Sequence, residues 1–236
     1  MSRRAVVLAG GHGTRLRPYT VVLPKPLMPI GEFPILEVIV RQLRKSGFDH
    51  ITLAVNHQAN LIQAFFGQGE RWDLRIDYSI ESQPLSTIAP LLLIEDLPER
   101  FLLMNGDVLT DLAFGAFLDA HVADGSLFTI SAAPRTQLID YGVLKMDHDG
   151  RLTGFEEKPK LDYLVSMGVY GVSREALDLV PPGVKFGFDD LMNALLRGGR
   201  PVRVRPFDGY WLDIGRPDDY QRAIEEFAAQ RERFAV

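Results

Sequence analysis

The feature that most limits the possible folds is a regular alternation of short apolar runs and amphipathic segments in the first half of the chain. Four short runs are typical of buried strands: RAVVLA, HITLAV, LRIDYSI and RFLLMNGD. The segments between them are typical of helices: PILEVIVRQLRKSG, QANLIQAFFG and STIAPLLLIEDL. This alternation predicts a mostly parallel sheet covered by helices on both faces. Ligands of such sheets bind beyond the carboxyl ends of the strands, so the turns after the first and fourth strands should face one crevice.

The second half of the chain keeps an α/β pattern but loses the regular rhythm. A helix over LAFGAFLDAHVAD precedes a strand over LFTISAA, and residues 141–157 predict a hairpin that turns at Asp149-Gly150. The remaining predicted elements are, in order, a strand (YLVSMGVYGV), a helix (FDDLMNALLRGG), a strand (PVRVRPF) and a last helix from Pro217 through Phe234. No repeat or long linker interrupts residues 1–236. The sequence therefore predicts a single α/β domain with a Rossmann-like, three-layer αβα architecture and a mostly parallel mixed central sheet.

Composition and charge exclude several classes of protein. The net charge is −5, so the chain has no general positive field for nucleic acid, and any phosphate must meet a local cluster of cations. The absence of cysteine excludes disulfides and thiolate metal sites and is typical of a reducing compartment, from which we predict a cytoplasmic protein. No apolar run approaches the roughly 18 residues of a membrane span. We expect neither nucleic acid nor membrane as a partner.

A glycine-rich loop with stiffly held cations follows the first strand. In LAGGHGTRLRPYTVVLPKPL, Leu8 to Leu27, three glycines would let backbone amides approach a phosphate, and prolines stiffen the segment that carries Arg15 and Lys25. Leu16 stands where the dinucleotide-binding fingerprint needs its third glycine, and no Gly-Lys-Ser/Thr of a P-loop follows. The glycines alone fit a tight turn with solvated arginines equally well. The fixed cations favour an anion site.

This segment resembles the signature of the sugar-1-phosphate nucleotidyltransferases: a Gly-Gly-x-Gly-Thr-Arg-Leu loop, Pro-Lys-Pro-Leu, and a helix with Pro-Ile-Leu/Ile-Glu. Three segments match it: Gly10 to Leu16, Pro24 to Leu27 and Pro34 to Glu37. Within the family, the sequence most resembles short forms of the mannose-1-phosphate guanylyltransferase type. The resemblance implies that Arg15 and Lys25 are catalytic, with Lys25 on the α-phosphate. It also implies that the nucleotide is bound by Leu8, Ala9, Gly10, Gly11, Gly13 and Thr14. The nucleotide-binding half would be residues 1–110 and the sugar-phosphate half residues 111–236, approximately.

Two aspartates are candidates for a metal site. Asp107 comes directly after a buried strand, and Asp213 lies between Leu212 and Ile214, where a carboxylate is costly unless it is paired or coordinated. Either aspartate could instead anchor a turn or cap a helix. Both coincide with aspartates that the family uses for magnesium, so the resemblance implies Mg²⁺ as the cofactor, held by Asp107 and Asp213. The five histidines have no zinc-binding spacing.

The resemblance places most of the sugar-phosphate site in the second half of the chain. DYGVLKMDHDGRLTGFEEKP resembles the Tyr-Gly-Val strand and the Glu-Lys-Pro motif of the family, and VSMG resembles a strand where many relatives have Asn-Ala-Gly. The implied sugar-phosphate residues are Asn105, Gly106, Gly142, Glu157, Lys158, Ser166 and Gly168. Lys158 would meet the phosphate and Glu157 the hydroxyl groups. Without the resemblance, Glu156 to Lys158 is typical of a solvated charge cluster, and Ser166-Met167 departs from the family pattern.

The segment ESQPLSTIAPL resembles the part of the family that reads the nucleobase, which implies that Glu81, Pro84, Ser86 and Thr87 bind the nucleotide. A carboxylate only accepts hydrogen bonds, and guanine offers two adjacent N–H donors to it, whereas an amide suits uracil or thymine better. Glu81 therefore favours guanine; a solvated glutamate at a strand end is the alternative. Ser86 replaces the glycine that is usual in the family.

The combined expectation is an enzyme that condenses a nucleoside triphosphate with a sugar 1-phosphate and releases pyrophosphate. We predict GTP as the donor and mannose 1-phosphate, or a related hexose or heptose 1-phosphate, as the acceptor. Uridylyl, cytidylyl or thymidylyl transfer is the alternative within the same class. A non-catalytic subunit that binds nucleotide sugars is the alternative from another class. A homodimer stays open, since Phe227 and Phe234 on the last helix could either serve an interface or pack against their own sheet.

Overall fold

The structure, a computed structural model, describes residues 3–56 and 58–234. The strands are β1 (Arg4–Leu8), β2 (Pro29–Ile30), β3 (Phe33–Pro34), β4 (His50–Val55), β5 (Arg75–Ile80), β6 (Arg100–Asn105), β7 (Val108–Thr110), β8 (Phe128–Leu138), β9 (Val143–Met146), β10 (Leu152–Glu156), β11 (Lys160–Ser173), β12 (Val202–Pro206) and β13 (Trp211–Asp213). The α-helices are α1 (Ile35–Lys45), α2 (Ala59–Phe66), α3 (Phe114–Asp124), α4 (Phe188–Arg197) and α5 (Pro217–Ala229). Short 3-10 helices connect several of these elements.

Seven strands form one sheet in the order β12-β8-β11-β6-β1-β4-β5. β1 is parallel to β4 and β6, and β4 is parallel to β5, whereas β11 runs antiparallel to both of its neighbours. The predicted mostly parallel mixed sheet is confirmed. Leu8 pairs with Ala54 on one side and with Asn105 on the other, so the carboxyl ends of these three strands are level. The turns after β1 and β6 therefore do face one crevice.

Helices and apolar loops cover both faces of the sheet. In β1, Ala5 and Val7 point to the face covered by α1, α2 and α3, while Val6 points to the opposite face, where α4 packs. All three side chains have no exposed surface. Burial on both faces explains why this strand is an uninterrupted apolar run. The three-layer αβα arrangement is thus confirmed.

The last helix packs against its own domain. Phe227 and Phe234 are 2% and 0% exposed and stack on each other with ring centroids 5.5 Å apart. They share a core cluster with Leu16 of the glycine-rich loop and Leu212 of β13. The two phenylalanines therefore stabilise the region beneath the loop, and their side chains are not available to an interface.

Three details differ from the sequence prediction. The helix expected over residues 86–97 is a short 3-10 helix, Ala89–Leu93, because Pro90 supplies no backbone N–H donor. The last α-helix ends at Ala229, and a separate 3-10 turn covers Arg231–Phe234. The short pairs β2–β3 and β7–β13 were not predicted, since two or three residues carry no measurable periodicity.

A long ribbon projects past the carboxyl end of β6. Val169 of β11 pairs with Met104 of β6, so residues 160–168 continue beyond that strand and pair with β8 instead. A register shift between Ser166 and Tyr170 bends this ribbon. The predicted hairpin around Asp149-Gly150 is confirmed as the antiparallel pair β9–β10, between the two ribbon strands in the chain.

Candidate active site

A pocket of about 540 Å³ opens at the carboxyl ends of β1, β4, β5 and β6. It contains both the glycine-rich loop and the segment that follows β5. The sequence-predicted residues that line it are Leu8, Ala9, Gly10, Gly11, Gly13, Thr14, Arg15, Lys25, Glu81, Pro84, Ser86, Thr87, Asn105, Gly106 and Asp107. The structure therefore brings the predicted nucleotide residues, both predicted catalytic cations and one predicted metal ligand into one cavity.

The glycine-rich loop turns sharply as it leaves β1. Gly13 has φ +58°, in the left-handed region, and a Cβ there would come 2.8 Å from Cγ2 of Thr20. The Thr20 hydroxyl donates a hydrogen bond of 2.7 Å to the carbonyl of Gly13. A Cβ at Gly11, in contrast, would meet no atom within 4 Å. Gly13 is thus required by the turn, while Gly11 leaves open space along the backbone where a ligand can approach.

Lys25 and Asp107 form an ion pair at the floor of the pocket. Lys25 is only 9% exposed and lies in a short 3-10 helix between Pro24 and Pro26. Its ammonium donates to Oδ2 of Asp107, while Oδ1 of the same carboxylate is buried and has no hydrogen-bond partner among the described residues. A buried carboxylate oxygen without a donor is costly. The pair therefore has one acceptor available for a further ligand.

Asp213 lies beside this pair, although it does not line the pocket. It pairs with Val108 in the β7–β13 ladder, and the backbone N–H of Ile214 donates to the carbonyl of Asp107 at 3.0 Å. Loss of hydration in the crevice raises the pKa of Asp213, and the nearby Asp107 carboxylate raises that pKa further, against the opposing effects of Lys25 and Arg15. The structure thus concentrates negative charge from two distant parts of the chain.

These two carboxylates are a donor set that fits a hard divalent cation. Mg²⁺ accepts one or two protein carboxylates and takes its other ligands from phosphates and water. Asp107 offers its unpartnered Oδ1, and Asp213 has an unfavourable like-charged neighbour that a cation would neutralise. Among the residues described, no group of three or more His, Cys, Asp or Glu side chains could hold a metal. The chemistry of this corner therefore fits a metal that is shared with a phosphate ligand.

Glu81 is oriented at the opposite end of the pocket. Its Oε2 accepts the backbone N–H of Leu85 at 2.9 Å. A Cβ on Gly10 would come 3.4 Å from Oε1 of Glu81 and 3.2 Å from Cβ of Asn56, so these three residues converge where β1, β4 and β5 end. One oxygen of Glu81 is thus held by the loop backbone, and the residue lines the pocket.

Ser86 occupies the position where the family usually has glycine, and its backbone explains that preference. Its φ is +75°, in the left-handed region that a side chain disfavours. The neighbouring Thr87 accepts the backbone N–H of Phe188 through Oγ1 at 2.9 Å. Thr87 therefore anchors the start of α4 in addition to lining the pocket.

The predicted sugar-phosphate residues are divided between the pocket and the ribbon. Gly168 has φ +74°, and a Cβ there would be 2.6 Å from Nδ2 of Asn105, so this glycine allows β11 to lie against the pocket rim. Ser166 Oγ lies 3.0 Å from the hydroxyl of Tyr170 and accepts the N–H of Gly168 at 3.3 Å. Both Ser166 and Gly168 lie outside the pocket lining.

The other three predicted sugar-phosphate residues lie on the hairpin side. A Cβ on Gly142 would be 2.6 Å from the ring of Phe155 and 3.1 Å from Oε2 of Glu157. Lys158 is exposed, with φ +46°, in the turn before β11. These residues also lie outside the pocket lining.

The pocket also contains residues that the sequence analysis missed. They are His12, Pro26, Ala54, Asn56, Pro90 and Gly215. Asn56 directly follows β4, as Glu81 follows β5, so its position at a strand end was a usable signal. Gly215 had none, since only the fold brings it near Arg15: a Cβ there would lie 3.4 Å from an Arg15 nitrogen.

Comparison with known proteins agrees with this geometry. The family model described as Nucleotidyl transferase matches residues 4–230. The chain belongs to this family. The predicted resemblance to the sugar-1-phosphate nucleotidyltransferases is confirmed by the relatives of this nucleotidyl transferase, which carry such names.

Three relatives show how far this similarity extends. A UTP–glucose-1-phosphate uridylyltransferase from Synechocystis is 32% identical and aligns with 94% of this chain. A mannose-1-phosphate guanyltransferase from Emericella nidulans is 32% identical, and the catalytic subunit beta of mannose-1-phosphate guanylyltransferase from Danio rerio 33%, each over 92% of this chain. The chain spans 62% of the length of each of these curated relatives.

Solved structures share the fold. HddC from Yersinia pseudotuberculosis is 27% identical, with a TM-score of 0.74 over 95% of this chain and 99% of that one. The same protein complexed with GMP-PN has a TM-score of 0.72. A Bacillus anthracis structure at 21% identity has a TM-score of 0.77 over 95% of each chain. In the part of the nucleotidyl transferase that the structure describes, no helix combines the length and the apolar character needed to cross a membrane.

Proposed function

We propose that this protein transfers a nucleotidyl group from a nucleoside triphosphate to a sugar 1-phosphate and releases pyrophosphate. The observation that carries the proposal is the position of the Lys25–Asp107 pair directly beneath the glycine-rich loop, in a pocket that also contains Arg15. Open backbone, fixed cations and a carboxylate with a free oxygen are what a triphosphate with a bound metal requires.

Positioning and charge neutralisation are sufficient for this reaction. A phosphate oxygen of the sugar 1-phosphate attacks the α-phosphorus, a new P–O bond forms, and the bond from the α-phosphorus to the bridging oxygen of pyrophosphate breaks. The attacking oxygen is already anionic, so no general base is needed. In our proposal Lys25 stabilises the charge on the transferring group, and Arg15 stabilises the departing pyrophosphate.

Asp107 and Asp213 would hold Mg²⁺. When bound, the ion would neutralise phosphate charge as a Lewis acid. The chain's own contribution is to keep the two carboxylates together through the β7–β13 ladder and to keep Lys25 next to Asp107. In our proposal this contact orients Lys25 toward the α-phosphate.

The acceptor would lie between the pocket and the ribbon. Asn105 and Gly106 line the pocket, and Gly168 brings β11 against Asn105. We propose that Ser166 and Gly168 contact the sugar from this side, while Gly142, Glu157 and Lys158 close over it from the hairpin. This division is supported by the contact of Gly168 with Asn105 on one side and the proximity of Gly142 to Glu157 on the other.

We propose guanine as the base and mannose 1-phosphate, or a related hexose or heptose 1-phosphate, as the acceptor. Support for guanine comes from Glu81, a pocket residue whose Oε2 is held by the backbone of Leu85, and from Asn56 close to it, whose amide would donate to the O6 oxygen. The relatives include both guanyltransferases and a uridylyltransferase. Uridylyl transfer is therefore the competing specificity.

A substrate panel tests the proposal. Purified protein with Mg²⁺ is offered each of GTP, UTP, CTP, dTTP and ATP with mannose, glucose and heptose 1-phosphates, and pyrophosphate release is measured. We expect the highest kcat/KM with GTP. If no combination gives turnover while a nucleotide sugar still binds, the protein is a binding subunit and the enzyme proposal is wrong.

A further inference from the structure

We propose that Arg135 binds the phosphate group of the sugar 1-phosphate acceptor. This assignment rests on the proposed function and adds a residue that the family motifs did not indicate. Arg135 lies on β8, in the part of the ribbon that extends past β6, and its register partner on β11 is Tyr163.

The position of Arg135 is fixed by an aromatic ring. Its guanidinium carbon lies 4.8 Å from the ring centroid of Trp211, a distance at which a cation is attracted to the face of an indole. The Nε1–H of Trp211 donates to the carbonyl of Met167 at 2.8 Å. Met167 lies between Ser166 and Gly168, the two residues proposed to contact the sugar. Trp211 therefore holds Arg135 beside the sugar strand.

The same ring connects Arg135 to the proposed metal corner. Trp211 and Asp213 are two residues apart in β13, so their side chains lie on the same face of that strand. Asp213 is next to Asp107. An acceptor phosphate has to lie between the sugar contacts and the α-phosphate near the metal. Arg135 is connected to both groups of residues through Trp211.

The charge of Arg135 is not neutralised by the protein. Its one hydrogen bond in the described part of the chain is to the carbonyl of Pro134 at 3.1 Å, and no carboxylate there lies within ion-pair distance. Two other arginines, which are partly buried, are paired instead: Arg205 with Asp124 at 2.8 Å and Arg3 with Asp119 at 2.7 Å. A guanidinium that is stacked on a ring keeps its N–H donors available for a phosphate.

Lys158, the cation predicted from the family motif, lies in the turn before β11, and both it and Arg135 are exposed and outside the pocket lining. The difference is that Arg135 is held against an aromatic ring, whereas among the described residues Lys158 has no such contact. The competing interpretation is that Arg135 only covers the ring of Trp211.

Steady-state kinetics separate these two interpretations. We expect Arg135→Gln to raise KM for the sugar 1-phosphate about 10- to 100-fold, with KM for the nucleoside triphosphate within about twofold of wild type. Arg135→Lys, which keeps the charge but not the planar fork, should be intermediate. Arg203→Gln is the matched control: it removes an exposed, unpaired arginine from the edge strand β12. If Arg135→Gln behaves like the control, or if both KM values rise together, the assignment is wrong.

A binding experiment gives a readout that does not require turnover. The chain has two tryptophans, so a Trp72→Phe background leaves Trp211 as the only indole. Mannose 1-phosphate and glucose 1-phosphate should change its emission, unphosphorylated mannose should not, and Arg135→Gln in the same background should abolish the change. Unchanged emission with either phosphate, or an unaffected response in the variant, would overturn the assignment.

The two experiments also keep this inference separate from the proposed function. Absence of turnover with every substrate pair contradicts the proposed function, and the emission experiment still decides whether Arg135 binds a sugar phosphate. Turnover without any effect of Arg135→Gln leaves the proposed function intact and removes Arg135 from it.

Discussion

The ammonium of Lys25 contacts the carboxylate of Asp107 across 82 positions of sequence, in a pocket where the lysine is 9% exposed. Neither residue finds this partner among its neighbours in the sequence. The contact forms only because β1 and β6 are neighbours in the sheet. An ammonium held in this way is positioned before any substrate arrives, which is the condition for strong electrostatic stabilisation of a transition state.

Lys25→Ala should reduce kcat by roughly 100- to 1,000-fold, since it removes a preorganised cation from the transferring phosphate. The far-UV circular dichroism spectrum should be unchanged. Lys45→Ala, at the exposed end of α1, provides the control and should retain wild-type turnover. Wild-type kcat in the Lys25 variant would show that this ammonium does not act on the reacting group.

Asp107→Asn and Asp213→Asn should each lower turnover at least ~100-fold at fixed Mg²⁺ and shift the activation curve to higher Mg²⁺ concentrations, because each removes an anionic oxygen ligand. The measurement is the initial rate as a function of Mg²⁺ concentration. Asp178→Asn removes an exposed carboxylate far from the pocket and should leave the curve in place. A Mg²⁺ dependence that is identical in all four proteins contradicts the proposed metal site.

Glu81→Gln should erode the preference for GTP over UTP by about 10-fold or more. The amide loses the acceptor for one guanine N–H and gains a donor that suits a uracil carbonyl. The ratio of kcat/KM values for the two nucleotides is the quantity to measure, with Glu95→Gln, on the exposed surface, as the control. An unchanged ratio would remove Glu81 from base recognition.

Ser86→Gly should raise the free energy of unfolding by about 0.5–1 kcal/mol. The gain is the left-handed strain at φ +75° less the extra chain entropy of glycine in the unfolded state. Ser86→Ala keeps a Cβ and should give no such gain, which separates backbone strain from loss of the hydroxyl. Urea unfolding of the three proteins checks this, and equal stability of the glycine and alanine variants would contradict the strain argument.

Folding stability should decrease as the pH falls from about 6.5 to 4, in part because of His121. This side chain has no exposed surface, and its Nδ1 lies 2.8 Å from Oγ1 of Thr129. Burial, followed by the positive charge of Arg100, lowers the pKa of His121 to about 4. The unfolded state binds the proton at a higher pH than the folded state does. The stabilisation contributed by neutral His121 is therefore fully present above pH 6.5 and is lost progressively below it, up to roughly 3 kcal/mol.

The comparison of wild type with His121→Asn checks this pH dependence. The free energy of unfolding is measured by urea titration at several pH values between 4 and 7. Between pH 4.5 and 6.5, the free energy of unfolding should change less steeply with pH in the variant. The difference should correspond to at most about one proton taken up on unfolding. Equal slopes would show that His121 is not the group that titrates.

Much of the fold was predictable because the apolar pattern of each central strand is local. β1, β4 and β6 are short apolar runs buried on both faces, and α1 ends before Gly47, whose φ is +85°. The glycine loop was predictable for a related reason, since it follows the first strand directly. Lys25 was indicated by the prolines on either side of it and by the resemblance to the family signature. These features depend on neighbours in the chain and on one general rule about strand ends.

The remaining parts of the site depend on long-range pairing. Asp213 reaches Asp107 through a ladder of three residues, which carries no periodic signal. The proposed role of Arg135 depends on Trp211, 76 positions later, whose ring lies under the guanidinium. The position of Asn56 at a strand end is visible in the sequence, but its proximity to Glu81 follows only from the order of β1, β4 and β5 in the sheet.

The β7–β13 ladder also has a consequence for synthesis of the protein. The residues around the glycine loop, Lys25 and Asp107 belong to the first half of the chain, whereas the second carboxylate is delivered by a strand that is translated about a hundred residues after Asp107. The same late segment carries Gly215, which lines the pocket, and the two phenylalanines that pack beneath the glycine loop. A nascent chain on the ribosome therefore completes the pocket only when its last residues have emerged.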